Sequence, residues 1–412
     1  MSTGKMQYFA RFCIGLANYL LDILLKPLPR NKRKWVFGAT GGFRDNPKYL
    51  FYQTVNSHKE VRAIWIGRNK KDVRTLSQNG YEACFWLSPK GLYHTLTAKV
   101  AICDHSLGNI NQFLTGGVYY VNLWHGSSVK RVRWQAPDYF VKKYHLKNEK
   151  EMRTSFRFRM QQYQVLFRTP DLCLAPSTIQ AKDFFAPMMD IPIENCVVGV
   201  FPRSQLLIAG KTATLEFVEK HEPEATLTFV KRLGDFKKTY IYMPTWRNNN
   251  ADFLVASGVN WHELNEKLRK KDELLILKLH PFTKLNVKEV SEYSNLCIYP
   301  TNSDIYTILP FTDCLITDYS SIYTDFLMMN KEIILFVFDY DEYVKNSYDL
   351  AEYDKYFVGK RAYNFSQLLH IIDSEEDCHV PKEQYDFLME FFWDNNRHQI
   401  DIVEEVKRRI SF

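Results

Sequence analysis

The chain reads as an α/β protein built on two parallel sheets, and two observations predict it. Short, continuous apolar runs recur along the chain, each followed by a loop and then a helix-like segment. Strands of a parallel sheet look like this because helices cover both faces and leave no polar side. The runs also fall into two series, the pattern of two α/β domains rather than one.

The first series comprises Trp35–Phe37, Ala63–Ile66, Val100–Cys103, Tyr119–Leu123, Leu172–Ala175 and Cys196–Val200. The second comprises Thr239–Met243, Leu274–Leu279, Leu296–Tyr299, Cys314–Thr317 and Ile333–Phe338. Between about Leu207 and Lys238 no clean strand occurs and charge is dense, so the domain boundary is expected there. From Lys382 to Phe412 the apolar residues recur with helical spacing. No internal repeat or low-complexity stretch is present.

The 412 residues suffice for two domains, each with its own core. With 46% hydrophobic and 25% charged residues, disorder as the main state is excluded. The net charge is +7, without a long run of one sign, which argues against a nucleic-acid scaffold. Nucleotides, phosphopolymers and lipid headgroups fit that excess better. Eight cysteines are scattered without a CxxC pair, several of them inside apolar runs. They read as reduced core residues of a cytosolic protein, not as a zinc or disulfide framework.

Tyr8–Leu28 is an apolar stretch interrupted by Arg11, Asp22 and Lys26 and followed by the basic cluster Arg30–Lys34. The charges argue against a membrane span, and no small-residue cleavage site follows. Two readings stay open: a helix lying on an anionic membrane surface, or one packed on the protein's own core.

In doubly wound sheets the functional residues follow the carboxyl ends of strands. His105 and His125 stand there in the first series, and Thr245, Arg247, His280 and Asp318-Tyr319-Ser320-Ser321 in the second. Ser320 and Ser321 precede a helical run, where hydroxyls and free N–H groups receive either a simple cap or a phosphate. Arg247 offers a bidentate fork for phosphate oxygens. His280 is followed by Pro281, which restricts it. With Arg247 and Ser320 it suits a pyrophosphate pocket. His125 precedes Gly126, which permits close backbone approach, and Lys130, Arg131 and Arg133 add positive charge. A histidine beside a phosphate-rich acceptor suits a general base. The glycine-rich turn Gly38–Gly42 matches neither a dinucleotide nor a Walker fingerprint. No acidic cluster has evident metal geometry, so no obligatory metal or other cofactor is expected; Asp318 is at most a weak ligand.

Together these segments resemble the CDP-glycerol:polyglycerophosphate glycerophosphotransferases, the teichoic-acid primases, polymerases and capsule-synthesis relatives. The likeness rests on Asp45–Leu50, Trp124-His125-Gly126, Phe201-Pro202-Arg203, Pro244–Arg247 with Lys278–Pro281, Thr317–Ser321 and Phe338–Tyr343. It runs from about Trp35 to Tyr356. The resemblance implies a GT-B fold, two Rossmann-like domains facing a central cleft. The expected division is 1–30 as an amphipathic membrane-associating segment, 31–215 as the acceptor domain, 216–385 as the donor-nucleotide domain, and 386–412 as a C-terminal helix packing back on the first. It implies that His125 and His280 are catalytic. Thr245, Arg247, His280, Asp318, Ser320 and Ser321 would bind donor phosphate, with Asn46, Lys130, Arg131 and Arg203 on the acceptor side. Where the family usually has Thr-Pro after Trp-His-Gly, this chain has Ser127-Ser128. Where it has Asn-Asp after Pro-Arg, this chain has Ser204-Gln205.

The implied reaction moves a glycerol-phosphate or related polyol-phosphate unit from CDP-glycerol or a similar CDP-polyol to a hydroxyl of a cell-surface polymer or lipid-linked primer. CMP leaves. The expected place is the cytoplasmic face of a bacterial membrane, held peripherally at an anionic surface. The alternatives are a GT-B glycosyltransferase using a nucleotide sugar, and a non-catalytic module that binds anionic polymer.

Overall fold

In the computed structural model, parallel pairing links every strand to its neighbours. The structure describes residues 3–247, 253–280, 283, 290–301, 303–346, 352–374, 376–396, 398 and 400–412. Two compact units form, one of Met1–Arg203 with Phe391–Phe412, the other of Ser204–Glu390.

The first unit carries a seven-stranded sheet in the order β3-β2-β1-β4-β5-β6-β7. Its strands are β1 Asn31–Gly38, β2 Arg62–Gly67, β3 Ala83–Phe85, β4 Ala98–Cys103, β5 Tyr119–Asn122, β6 Leu172–Ala175 and β7 Cys196–Val198. The second unit carries six, β8 Lys238–Tyr242, β9 Glu273–Leu277, β10 Leu296–Ile298, β11 Cys314–Thr317, β12 Glu332–Phe336 and β13 Lys360–Ala362, in the order β10-β9-β8-β11-β12-β13. Each apolar run read from sequence overlaps one of these strands, several of them running one or two residues past its end. Two strands escaped that reading. Ala83–Phe85 is only three residues long, and Lys360–Ala362 is a charged edge strand. Charge on an edge strand discourages its open side from pairing with another chain.

The central strands are buried throughout, from Trp35, Val36 and Phe37 of β1 to Leu315 and Ile316 of β11. Leu207–Lys238 folds as helices Gln205–His221 and Glu224–Leu233 leading into β8. The C-terminal stretch holds helices Lys382–Trp393 and Ile402–Arg409, broken where Asp394, Asn395 and Asn396 take left-handed φ. Asp394 accepts hydrogen bonds from the N–H and hydroxyl of Thr178, at 2.8 and 2.6 Å. Near the other end of the last helix, Lys407 pairs with Glu60 at 2.7 Å.

Helix α1, Thr3–Leu25, lies along the first unit. One side is fastened: Tyr8 meets Tyr144, Phe12 meets Phe156 and Tyr19 meets Tyr163, all edge-on. Asp22 pairs with Arg168 at 3.0 Å and accepts from the Tyr163 hydroxyl. The other side leaves Met6, Phe9, Ile14, Leu20, Ile23 and Leu24 exposed. By length and composition Met6–Leu25 could cross a membrane, with a mean hydropathy of 1.4. After the helix, Arg30 turns inward and donates to the carbonyls of Thr95, Ala98, Leu114 and Gly116.

Gly15 makes the docking possible, since a Cβ there would meet the Met160 carbonyl oxygen at 1.6 Å. Gly15→Val should lift the helix off. Overpacking costs about 1–3 kcal/mol, so limited trypsinolysis at Arg11 and Lys26 should speed up about tenfold. Unchanged cleavage would show that the fit has slack.

Candidate active site

In the first unit the loops after β1, β4 and β5 meet. Asp104, directly after β4, is buried and accepts from the Thr40 N–H at 3.0 Å and the Thr40 hydroxyl at 3.1 Å. Burial, with the Asp45 charge nearby, pushes its carboxyl up to about 7. The Asp104 carbonyl lies 3.3 Å from His125 Nδ1. A carbonyl only accepts, so Nδ1 carries the proton and Nε2 keeps its lone pair. The His125 ring remains open to solvent. Desolvation by the protein around it holds its pKa below the usual imidazole value, while the Asp45 charge pulls the other way.

Trp124 stacks on His125 with centroids 4.3 Å apart. Arg133 also packs on Trp124, its guanidinium 4.9 Å from the ring, and donates to the His105 carbonyl at 2.9 Å. His105 is held neutral, its pKa pushed down to about 4 by burial and then by Arg133 and His125. Trp124 has φ +52, a left-handed conformation that for a bulky residue stores on the order of 1–3 kcal/mol and persists only where neighbours enforce it.

Asn46 and Asn122 surround that strained residue, and both are fully buried. The Asn46 amide donates to the carbonyls of Leu123 at 3.3 Å and Trp124 at 2.9 Å, and its oxygen accepts from the Arg203 N–H. The Arg203 side chain pairs with Asp45 at 2.8 Å. Thus Asn46, Arg203 and His125 come together in the fold, the first two beneath the surface. Lys130 and Arg131 follow on a loop anchored by Gln180, which exchanges two hydrogen bonds with the Ser128 backbone, at 2.8 and 3.0 Å. Ser127 is buried, its hydroxyl unpartnered.

In the second unit the loops after β8, β11 and β12 converge on one guanidinium. Arg247 is 7% exposed. Its Nε donates to Asp339 at 2.7 Å, Nη2 to Asp339 at 3.0 Å, and Nη2 lies 2.9 Å from Asp318. Nη1 donates to the Thr245 carbonyl. Tyr319 and Tyr343, stacked at 3.9 Å, flank it. Burial opposes the charge of Arg247, but Asp318 and Asp339 outweigh it and raise the pKa. The fork of Arg247, from which a bidentate phosphate contact is expected, grips Asp339 in this structure. Asp318 is likewise engaged, accepting from the Thr245 N–H at 2.8 Å.

The helix after Asp318 is Ile322–Leu327, six residues, and the Ser321 side chain does not cap it. Ser320 is half-buried and Ser321 exposed. Thr245 Oγ1 is buried and unpartnered. His280 is exposed and stacks on Trp246 at 5.1 Å. Pro281 lies outside the described residues. Asp339 was missing from the residues singled out for chemistry, although its stretch carried part of the resemblance. Asn122 was missing too, and its signal was a polar residue ending an apolar strand. Two clusters with metal-binding composition occur among the described residues, His58–Glu60–Glu404 and Glu332–Asp377–His379. A lysine already pairs with each, Lys407 in the first and Lys238 in the second.

The family model described as CDP-Glycerol:Poly(glycerophosphate) glycerophosphotransferase matches residues 23–405. The chain belongs to this family. Over 336 residues it is 26% identical to a teichoic acid poly(glycerol phosphate) polymerase of Bacillus spizizenii, covering 77% of each chain. Over 339 residues it is 25% identical to a teichoic acid glycerol-phosphate transferase of Staphylococcus aureus, covering 78% of this chain and 77% of that one. Against the teichoic acid ribitol-phosphate polymerase TarK of Staphylococcus aureus the identity is 26% over 55% of this chain, and the match spans only 43% of TarK. Two further polymerases are spanned for 34% and 41% of their length. The fold matches that of a variant of the wall teichoic acid polymerase TagF at TM-score 0.69 and 18% identity, over 100% of this chain and 96% of the other.

The geometry of Arg247 makes a prediction. Arg247→Met would strand the buried carboxylate of Asp318 and the half-buried one of Asp339, at a cost of about 3–5 kcal/mol. Its melting temperature should therefore fall together with its affinity for a CDP-polyol. Loss of donor affinity at an unchanged melting temperature would return the guanidinium to the phosphate.

Proposed function

We propose that this protein transfers a glycerol-phosphate or related polyol-phosphate unit from a CDP-activated donor to a hydroxyl of a teichoic-acid-type or capsule polymer, or its lipid-linked primer. Family membership over residues 23–405 supports the reaction class. The observation that carries the mechanism is the Nδ1 contact of His125 with the Asp104 carbonyl, which leaves Nε2 as a base at a solvent-open ring.

In the proposed reaction an acceptor hydroxyl attacks the β-phosphorus of the donor. The new O–P bond forms as the bond from that phosphorus to the bridging oxygen breaks, and CMP leaves with the electron pair. His125 Nε2 takes the hydroxyl proton. Such transfers depend on positioning and on neutralising developing charge. On the donor side His280, Ser320, Ser321 and Thr245 would meet the phosphates, with Arg247 and Asp318 shaping the loops beneath them. Lys130 and Arg131 would serve a phosphate-bearing acceptor, with Asn46 and Arg203 supporting that side from below. A panel of CDP-glycerol, CDP-ribitol and UDP-sugars, read by nucleotide release, tests this. Release of CMP from a CDP-alditol alone is expected, and release of UDP would point to a glycosyltransferase.

The general-base role predicts that His125→Ala lowers turnover by about 100- to 10,000-fold while CDP-glycerol binding, measured by calorimetry, holds. Only the neutral imidazole accepts a proton, and its pKa lies below the ordinary value. The wild-type rate should accordingly be level around pH 7 and fall on acidification, with its midpoint below about 6.5. A midpoint above 7, or a fully active His125→Ala protein, would remove the role.

We also propose that α1 rests on an anionic bilayer from the cytoplasmic side, rather than crossing it. Its inner side is held by Asp22, Tyr8, Phe12 and Tyr19, contacts that a crossing helix would give up. Its outer side presents Phe9 and Leu24, 62% and 67% exposed. Each buried apolar side chain contributes about 1.5–3 kcal/mol, so Phe9→Glu with Leu24→Glu should reduce co-sedimentation with phosphatidylglycerol vesicles at least tenfold. Undiminished binding would place the contact elsewhere.

A further inference from the structure

We propose that Asn122 and Asn46 are positioning residues for the transfer, acting through Trp124 to aim His125. The inference rests on the general-base reading of His125 and goes beyond it.

Both side chains are fully buried, and their polar atoms converge on the residue just before His125. The Asn122 oxygen accepts from the Trp124 N–H at 2.9 Å. The Asn46 amide donates to the Trp124 carbonyl at 2.9 Å and to the Leu123 carbonyl at 3.3 Å. Trp124 is thus gripped at both ends of its backbone while held at φ +52. Relaxation to an ordinary negative φ would turn the chain by more than about 100° there and carry the imidazole with it.

Asn122 does a second thing. Its amide donates to the His105 carbonyl at 3.1 Å and to the Tyr120 hydroxyl at 2.9 Å. The His105 carbonyl is one peptide along from the Asp104 carbonyl, the group that faces His125 Nδ1. One buried amide therefore fixes both the backbone that carries the imidazole and the strand end that sets its tautomer. Amides do this without adding charge beside the base, where Asp45, Asp104, Arg133, Arg203 and His105 are already close.

The test is a double-mutant cycle on the full chain, with CDP-glycerol as donor and an oligo(glycerol phosphate) as acceptor, followed by CMP release. Asn122→Asp keeps the acceptor for the Trp124 N–H but sets oxygen against the His105 carbonyl. Asn46→Asp likewise removes the two donations. A misplacement of about 1 Å costs roughly 100-fold, so each variant should lose kcat on that order, with the CDP-glycerol Kd changed less than about twofold. In a His125→Ala background neither should slow turnover further, because a residue acting through His125 has nothing left to aim. A purely structural asparagine predicts the same fractional loss in both backgrounds, which would overturn the proposal. So would either variant, folded by its melting curve, turning over at the wild-type kcat. If His125→Ala itself keeps full turnover, the base assignment fails first, a result distinct from full activity in the asparagine variants alone.

Discussion

Parallel pairing of the strands is the constraint from which the candidate site follows. A parallel sheet delivers all its carboxyl ends to one edge, and each connection must return across a face, so helices bury both faces. Residues far apart in sequence then meet at the edge as a matter of course. Thr40 and Asp104 share hydrogen bonds across 64 positions. Arg247 and Asp339 do so across 92. Thr40 and Asp104 follow strands that pair directly, β1 and β4. The loops holding Arg247 and Asp339 follow β8 and β12, each paired with β11.

The two units hold their loops by different chemistry. Around Trp124 the work falls to neutral amides, whose hydrogen bonds are directional and add no net charge. Desolvation by the surrounding protein is then the largest influence on the pKa of the exposed His125. Around Thr245 the work falls to one guanidinium set against two carboxylates and walled by Tyr319 and Tyr343. Such a pairing tolerates burial only while every member keeps its partner.

Much of this was legible in the sequence, and the parts that were not have a common cause. Continuous apolar runs gave away the strands, because a strand buried on both faces has no polar alternation to hide behind. His125, Arg247 and Asp318 stood out because each ends such a run. Asp339 did not, since the inward turn of the Arg247 fork that makes it a partner joins residues far apart along the chain. Asn46 was read only as an acceptor-side residue for the same reason. Nothing local says that its amide reaches the carbonyls of Leu123 and Trp124. The N-terminal segment left two readings open, and the structure shows one helix with a fastened side and an exposed apolar side, which no average over its residues could separate.

The first unit is discontinuous: its chain leaves at Arg203 and returns at Phe391. During synthesis the whole of Ser204–Glu390 emerges before the first unit has its last helix. The ribosome therefore finishes the sequence of the second unit first, although the first began earlier. Until Ile402–Arg409 arrives, Glu60 lacks Lys407, and His58 lacks Asp401, which it meets at 3.0 Å in the finished fold. Closure of the seven-stranded unit around its own C-terminal residues spans a loop as long as the entire second unit.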